Sequence, residues 1–357
     1  MAKKHNFGAG PCILPQEVFE QAAQGVLDFN GLSILEISHR SQGFIDVMEE
    51  ARESIKKALN VPNGYTVLYL QGGASLAFLI TGINMMRANK KAAYLNTGAW
   101  SKAAIKEAKN AGLAVTEVAS SADKNFNYIP KGFTVANDFD YFHSTSNNTI
   151  FGTQLKEFPK VGVPHVCDMS SDFLSRTVNV ADFDLIYAGA QKNLGPAGAT
   201  VYIVKEEIFG KSTYQNIPSY LNLETHFKKD SMFNTPPVFS IYVSMLNLRH
   251  LMKNGGIAAA EKRSQAKADL IYGEIDSNPL FVGTTAVEDR SNMNVTFVLN
   301  DNALEAEFNE MWKKAGIEGL KGHRDVGGYR ASMYNALEIE SVQVLVDVMK
   351  EFALKKA

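Results

Sequence analysis

Strand-like and helix-like segments alternate through the first 205 residues, and this alternation constrains the fold more than any other feature of the sequence. The β-rich run at 65–70 precedes a Gly-Gly turn and an apolar helix candidate at 75–87, and the run at 92–96 precedes the helix-like sequence AWSKAAIKEAKNAG. Further strand candidates follow, with the sequences LAVTEVA, DYFHST, VPHVCD, DLIYAG and TVYIVK. Because strands that alternate with helices build βαβ units, the pattern predicts an α/β fold with a sheet between layers of helices.

The pattern changes near residue 256. Two consecutive helix candidates, at 239–256 and 257–275, are separated by Gly-Gly, and short strands and amphipathic helices follow them. A chain of 357 residues is long for one core, because single cores stop growing near about 250 to 300 residues. We therefore expect a large domain at 1–256 and a smaller C-terminal α+β domain at 257–357.

Composition argues against several classes of function. The formal net charge is −2 and the charges are scattered, so the chain has no polybasic segment for nucleic acid or an anionic membrane. Its apolar stretches are too short and too polar for a transmembrane span. Two cysteines without a CxxC spacing and seven histidines without a ligand spacing favour neither a disulfide framework nor a metal site. We expect a cytoplasmic protein that binds neither a metal nor nucleic acid.

A lysine in the stretch AGAQKNLGPAG, at 188–198, is the first candidate for chemistry. A lysine on a loop is usually a solvated surface charge, and that remains the plain alternative for Lys192. The glycines and alanines on both sides of it allow a ligand to lie close to the backbone. A lysine whose pKa is lowered by such packing forms a Schiff base with an aldehyde, and pyridoxal phosphate is the aldehyde cofactor that requires one.

Pyridoxal phosphate makes three further demands, and each has a candidate here. Its ring nitrogen needs a buried carboxylate, for which Asp168 ends the strand candidate VPHVCD 192 − 168 = 24 positions before Lys192. Its phosphate needs free N–H groups at a helix N-terminus, which Ala74 and Ser75 of GGAS offer. Its ring needs an aromatic plate, for which Trp100 is available. Taken singly, each has an ordinary reading, as a turn cap, a common Gly-Gly turn or a core tryptophan.

The motifs together resemble the phosphoserine aminotransferase family of fold-type I pyridoxal-phosphate enzymes, in the same order across essentially the whole chain. The resemblance is carried by NFGAGP, HR at 39–40, GGAS, GAW, CDMSSDFLSR, AGAQKNLGPAG, NTPPVFSIY and GHRDVGGYRASMYNA. It implies class V transaminase activity with pyridoxal 5′-phosphate as cofactor. It also implies a mostly parallel seven-stranded sheet in the large domain.

The resemblance also implies roles for single residues. Lys192 would be the Schiff-base lysine and the base that moves the proton, and Asp168 would hold the ring nitrogen protonated. The remaining cofactor contacts would come from Ala74, Ser75, Trp100, Thr149, Gln191, Asn234 and Thr235. Of these, Asn234 and Thr235 would reach the cofactor phosphate from the other subunit of a homodimer.

Substrate binding requires cations, because glutamate carries two carboxylates and a phosphorylated 2-oxo acid carries a carboxylate and a phosphate. By resemblance, Arg330 binds the α-carboxylate, and the group around the distal anion is His39, Arg40, His323 and Arg324. The chain departs from the pattern of many family members at Ala9, where they carry a serine, and at Ser75, where they carry an arginine or cysteine; the resemblance therefore implies that two polar substrate contacts are missing.

The expected reaction is reversible amino transfer between L-glutamate and 3-phosphohydroxypyruvate, in serine biosynthesis. The resemblance leaves open a second substrate, the phosphorylated hydroxythreonine of vitamin B6 biosynthesis. The alternatives are another class V aminotransferase of the alanine–glyoxylate type, and a non-catalytic binding protein with this fold. A cysteine desulfurase needs a thiol on a mobile loop, whereas Cys167 precedes Asp168 on one strand and should point to the opposite face of the sheet.

Overall fold

Seven strands form the central sheet of the computed structural model, which describes residues 4–324 and 326–356. The strands of all the sheets in the described residues are, in chain order, β1 (His5–Asn6), β2 (Tyr65–Gln71), β3 (Lys91–Asn96), β4 (Ala114–Ser120), β5 (Tyr141–Thr145), β6 (His165–Asp168), β7 (Leu185–Gly189), β8 (Ala199–Lys205), β9 (Phe281–Gly283), β10 (Asn294–Leu299), β11 (Ile317–Glu318) and β12 (Tyr329–Ser332). The central sheet has the order β2-β8-β7-β6-β5-β3-β4. Strand β8 is antiparallel to both of its neighbours, and the other pairs are parallel. The prediction of a mostly parallel seven-stranded sheet is confirmed.

Helices cover both faces of this sheet. The helices are α1 (Gln16–Leu27), α2 (Gln42–Leu59), α3 (Gly73–Met85), α4 (Ala99–Asn110), α5 (Leu223–Phe227), α6 (Val238–Lys253), α7 (Gly256–Ser277), α8 (Glu305–Lys314) and α9 (Ile339–Lys356). Cys167 and Ile186 belong to the core formed with α2 and α6, whereas Val166 and Tyr187 belong to the core formed with α3 and α4. Side chains alternate between the two faces along a strand. The thiol of Cys167 therefore points away from the face that carries Asp168, as expected.

A second core lies in the C-terminal part of the chain. Strands β9, β10 and β12 form an antiparallel sheet, against which α7, α8 and α9 pack. The N-terminal segment joins this unit, because β1 pairs with β11 and Phe7 is buried in its core. Helix α7 contacts both cores, since Ile257 and Ala260 pack in the first and Ala268 packs in the second. Within the described residues, no helix is long and apolar enough to cross a membrane.

The Gly-Gly turn after β2 sets the start of α3 earlier than the sequence predicted. Helix α3 begins at Gly73 rather than at residue 75 and ends at Met85. Gly72 has a φ of +102°, and a Cβ on it would lie 2.8 Å from Cβ of Leu76. Only glycine tolerates this backbone conformation without strain, so the chain turns from strand to helix within one residue. The N-terminus of α3 is thereby placed directly at the end of the sheet.

Candidate active site

A cavity of about 450 Å³ opens at the carboxyl ends of the parallel strands, beyond Thr145 of β5 and Asp168 of β6. This edge is where α/β sheets bind ligands, because loops and helix N-termini converge there. Nine of the residues predicted from the sequence line the cavity: Ala74, Ser75, Trp100, Thr149, Asp168, Gln191, Lys192, His323 and Arg330. The sheet topology therefore collects groups that lie as far as 330 − 74 = 256 positions apart in the chain.

Lys192 enters the cavity from the loop that joins β7 to β8. Two hydrogen bonds from Cys12 hold the backbone of this loop: its N–H donates to the Gln191 carbonyl (3.0 Å) and its thiol donates to the Lys192 carbonyl. Nζ of Lys192 lies 5.8 Å from the ring centroid of Trp100. Burial lowers the pKa of the Lys192 amine to about 8, although the charge of Asp168 acts in the opposite direction. A substantial fraction of this amine is therefore neutral near physiological pH, as a nucleophile requires.

Asp168 is held by the residue two positions further along the chain. Oδ1 of Asp168 accepts hydrogen bonds from the main-chain N–H (2.9 Å) and the hydroxyl (2.6 Å) of Ser170, and the Ser170 hydroxyl itself accepts one from the N–H of Gly189 (3.1 Å). No described residue donates to Oδ2. Burial raises the pKa of the Asp168 carboxyl, while the Ser170 hydrogen bonds and the Lys192 charge oppose that shift. A cationic N–H donor at Oδ2 would therefore find a preformed acceptor.

Another wall of the cavity is formed by the first turn of α4, which carries Trp100. Gly98, with a φ of +152°, ends the connection from β3, and Trp100 follows in the first turn of the helix. The indole N–H of Trp100 donates to Oγ1 of Thr149 (2.9 Å), and the Thr149 carbonyl accepts from Nη1 of Arg330 (3.2 Å). The indole orientation is thus fixed by a buried hydroxyl, so its apolar face is available to a planar ligand.

Arg330 is a half-buried cation with unused hydrogen-bonding capacity among the described residues. It lies on β12, and its Nε is buried without a hydrogen-bond partner among the described residues. Burial is also the main cause that lowers the pKa of its guanidinium. A carboxylate in the cavity would satisfy the free donor and stabilise the charge, because guanidinium and carboxylate pair through two parallel hydrogen bonds. The unpartnered Nε is direct structural support for an anion site.

Five predicted residues do not line the cavity within one chain: His39, Arg40, Asn234, Thr235 and Arg324. His39 is buried, with Nε2 unpartnered among the described residues, and burial lowers the pKa of its imidazole. Arg40, Thr235 and Arg324 are exposed.

The segment with Asn234 and Thr235 nevertheless lies close to the Gly-Gly turn. The Thr235 carbonyl accepts hydrogen bonds from Nε2 of Gln71 (2.6 Å) and from the side chain of Asn234 (3.2 Å), and Gln71 immediately precedes the turn. Their predicted contact is with the cofactor bound to another subunit.

Ser170 is the functional residue that sequence reasoning missed. It stands two positions after Asp168 in the motif CDMSS, and it also lines the cavity. An aspartate that is followed at i+2 by a serine is a common turn arrangement in which the carboxylate accepts from the backbone N–H. That signal was present in the sequence, but it indicated only a turn until the strand placed Asp168 in the cavity.

Comparisons with known proteins agree with this geometry. A family model described as aminotransferase class-V matches residues 5–345. A phosphoserine aminotransferase of Flavobacterium psychrophilum is 61% identical over 356 residues, covering 99% of both chains.

Among solved structures, the phosphoserine aminotransferase of Bacillus circulans subsp. alkalophilus has a TM-score of 0.96 at 42% identity, covering 99% of each chain. A pyridoxal-phosphate-bound phosphoserine aminotransferase of Trichomonas vaginalis has a TM-score of 0.93 at 35% identity, covering 98% of this chain and 100% of that one. The fold and the cavity define a class V aminotransferase. Within that class, the chain belongs to the phosphoserine aminotransferase family.

Proposed function

We propose that this chain catalyses reversible amino transfer between L-glutamate and 3-phosphohydroxypyruvate, giving O-phospho-L-serine and 2-oxoglutarate, with pyridoxal 5′-phosphate as cofactor. The observation that carries the proposal is the composition of one cavity. Lys192, with a lowered pKa, and Asp168, whose Oδ2 accepts from no described residue, lie in it together with Arg330, whose Nε has no partner among the described residues. The relative with 61% identity over nearly the whole chain bears the name of this activity.

The residues present fit the cofactor. We assign its phosphate to the N-terminus of α3, where the N–H groups of Ala74 and Ser75 are in the first turn and lack intrahelical acceptors. Gln191 would be a further phosphate contact, Thr149 would contact the phenolic edge, and Trp100 would cover one face of the ring; all three line the cavity. When bound, the cofactor supplies an aldehyde carbon for the amino group and a ring that accepts electron density from the substrate Cα.

The chain's own residues then perform the proton chemistry. With the cofactor bound, Asp168 would keep the ring nitrogen protonated, because its negative carboxylate stabilises a positive N–H donor beside it. The neutral amine of Lys192 would take the proton from the substrate Cα and, as an ammonium, would donate it to the aldehyde-derived carbon of the cofactor. Arg330 would bind the α-carboxylate and so orient Cα towards the lysine.

The distal anion of each substrate is assigned to the remaining cations. Glutamate presents a carboxylate there and phosphoserine presents a phosphate, so the pocket must accept both. We place His39, Arg40, His323 and Arg324 at this end. His323 supports the assignment, because it lines the cavity on the loop before Arg330. Amino transfer from glutamate to a panel of 2-oxo acids, with and without phosphate, tests the function: a preference for non-phosphorylated acceptors would contradict it.

We further propose a homodimer with shared active sites, in the cytoplasm. Thr235 is exposed on a segment that also carries an exposed apolar side chain, Phe233, at 39%. An exposed aromatic beside polar groups is typical of an interface. Both cysteines are free, as suits a reducing compartment. The division into domains at 1–256 and 257–357 is likewise a proposal: α7 starts at Gly256, whereas β1 and Phe7 pack with the C-terminal unit.

The dimer proposal predicts that monomers bind the cofactor more weakly. Phe233→Asp is expected to favour folded monomers whose dissociation constant for pyridoxal phosphate rises about tenfold to hundredfold, because hydrogen bonds to a charged phosphate leave with the partner. Sedimentation gives the assembly state, and fluorescence titration gives the affinity. The control is Leu354→Asp, at a side chain that is 79% exposed on the C-terminal helix. Monomers that bind the cofactor as tightly as the parent dimer would contradict the proposal.

The lowered pKa of Lys192 predicts a pH dependence for cofactor binding. Only the neutral amine attacks the aldehyde, so the association rate of pyridoxal phosphate with cofactor-free protein should rise with pH and level off above about 8. An ordinary lysine would give a rise that continues to about 10.4. Rapid-mixing absorbance measurements from pH 6 to 10 test this, with Lys192→Ala as the control. A rate that still rises steeply above pH 9 would show that burial does not lower the pKa of this amine.

A further inference from the structure

Lys267, on α7, is a buried lysine with no part in the cavity described above. Its side chain is 1% exposed, and its ammonium donates hydrogen bonds to the carbonyls of Met333 (3.0 Å), Tyr334 (2.8 Å) and Leu337 (3.0 Å). An ammonium has three N–H donors and a neutral amine has two, so only the charged form satisfies all three carbonyls. Burial lowers the pKa of Lys267 to about 7, the Arg263 charge acts in the same direction, and the Glu338 charge opposes the shift.

Lysines are rarely fully buried, and when they are, the charge is normally paired with a carboxylate. No ion pair between Lys267 and a carboxylate occurs in the described part of the chain. Its entire hydrogen-bonding capacity is directed at one turn of backbone, residues 333–337, which we call the clamp turn. The role of Lys267 is therefore to hold the clamp turn in place.

The clamp turn contacts both the N-terminal segment at Ala9 and the loop that carries Lys192. The hydroxyl of Tyr334 donates to the carbonyl of Ala9, which lines the active-site cavity (2.8 Å). The main-chain N–H of Asn335 donates to Oδ1 of Asn193, the residue after Lys192 (2.9 Å), and the Asn335 side chain donates to the carbonyl of Leu174 (2.9 Å). The turn thus ties the N-terminal segment to the lysine loop.

The same turn continues directly from the strand that carries Arg330. Strand β12 ends at Ser332, and the N–H of Met333, the first residue of the clamp turn, donates to the Met293 carbonyl (2.7 Å). Arg330 and Lys192 come from different parts of the chain, and the clamp turn is a short covalent and hydrogen-bonded path between them. Anything that loosens the turn changes the position of the amine relative to the guanidinium.

We propose that Lys267 is a positioning residue for amino transfer, which acts through the clamp turn to fix Lys192 relative to Arg330. The proposal rests on the function proposed above, because it takes Lys192 as the reacting amine. A displacement of about 1 Å between reacting groups costs as much as a hundredfold in rate, so a residue remote from the cavity has a measurable effect.

The first test is Lys267→Met, which keeps a long apolar stem but removes all three donors. Lys262→Met, at an exposed position on the same helix, is the matched control. With pyridoxal phosphate as the probe, we expect Lys267→Met to bind the cofactor but to shift the pH titration of its visible absorbance, since Lys192 then sits in altered surroundings. We expect kcat to fall about tenfold to hundredfold. Lys262→Met should match the parent in both.

A second variant covers the case in which Lys267→Met does not fold. Asn335→Ala keeps the main-chain bond to Asn193 and the Lys267 hydrogen bonds, which use carbonyls, but removes the side-chain link to Leu174. It should shift the absorbance titration in the same direction, and the double variant should be no worse than the more impaired single variant. Unchanged absorbance titrations in Asn335→Ala, or in a folded Lys267→Met, would overturn the proposal. The titration requires no substrate, so a wrong substrate assignment would leave this result intact.

Discussion

Replacing Lys192 by alanine is expected to reduce amino transfer by several orders of magnitude and to leave the protein with poorly retained pyridoxal phosphate. Two contributions disappear together: the covalent attachment of the cofactor, and the base that moves the Cα proton, which alone contributes about 10² to 10⁴ in rate. The fold should survive, because the loop is held through the Gln191 and Lys192 carbonyls rather than through the lysine side chain. Single-turnover absorbance measurements with glutamate, alongside circular dichroism, give both results.

Lys156 is a matched control that separates the effect of the position of Lys192 in the cavity from the effect of a lowered lysine pKa. Burial also lowers the pKa of Lys156 to about 8, but Lys156 lies outside the cavity and donates to Oε1 of Gln154 (3.0 Å). Lys156→Ala should therefore bind the cofactor and transfer amino groups within a few-fold of the parent. Turnover at the parent rate in Lys192→Ala would refute the assignment of the reacting amine. A loss of similar size in both variants would point to a general effect on folding.

Replacing Arg330 by alanine should damage both half-reactions by about tenfold to a hundredfold or more in kcat/KM. The guanidinium is proposed to bind the α-carboxylate, which every substrate carries, and a hydrogen bond to a charged group contributes about 1.5 to 3 kcal/mol. Arg330→Lys should recover only part of the loss, because an ammonium cannot pair with a carboxylate through two parallel hydrogen bonds. Separate half-reactions with glutamate and with phosphoserine, followed by cofactor absorbance, provide the measurement.

Arg324→Ala gives the contrast that identifies the substrate. At the distal end the phosphate of phosphoserine carries more charge and more acceptor oxygens than the carboxylate of glutamate. The phosphoserine half-reaction should therefore lose about tenfold to a hundredfold, and the glutamate half-reaction should lose less. Arg40→Ala should impair both, because the distal carboxylate also needs a cation. Equal, small losses for both substrates in Arg324→Ala would place the phosphate elsewhere and reopen the choice among class V aminotransferases.

Local patterns predicted the main strands of the large sheet and the helices α3 and α4 that pack on it, but they missed α1 and α2. The strands are continuous apolar runs because both faces of the sheet are buried, and such runs are recognisable in a sequence. Helices α1 and α2 are amphipathic and pack against α6, so their partner is remote in the chain. Of the short strands expected in the C-terminal unit, β9 covers only Phe281–Gly283.

The sequence by itself determined the chemistry: which residue types are present, that Asp168 ends a strand, and that Lys192 and a Gly-Gly turn each follow one. Only the tertiary structure decided how those groups are held. Ser170 orients Asp168, the Trp100 indole is fixed by Thr149, and the clamp turn held by Lys267 contacts the loop of Lys192. These contacts join residues that are brought together only when the backbone folds. Each hydrogen bond depends on differences in distance of about a few tenths of an ångström, which no local pattern encodes.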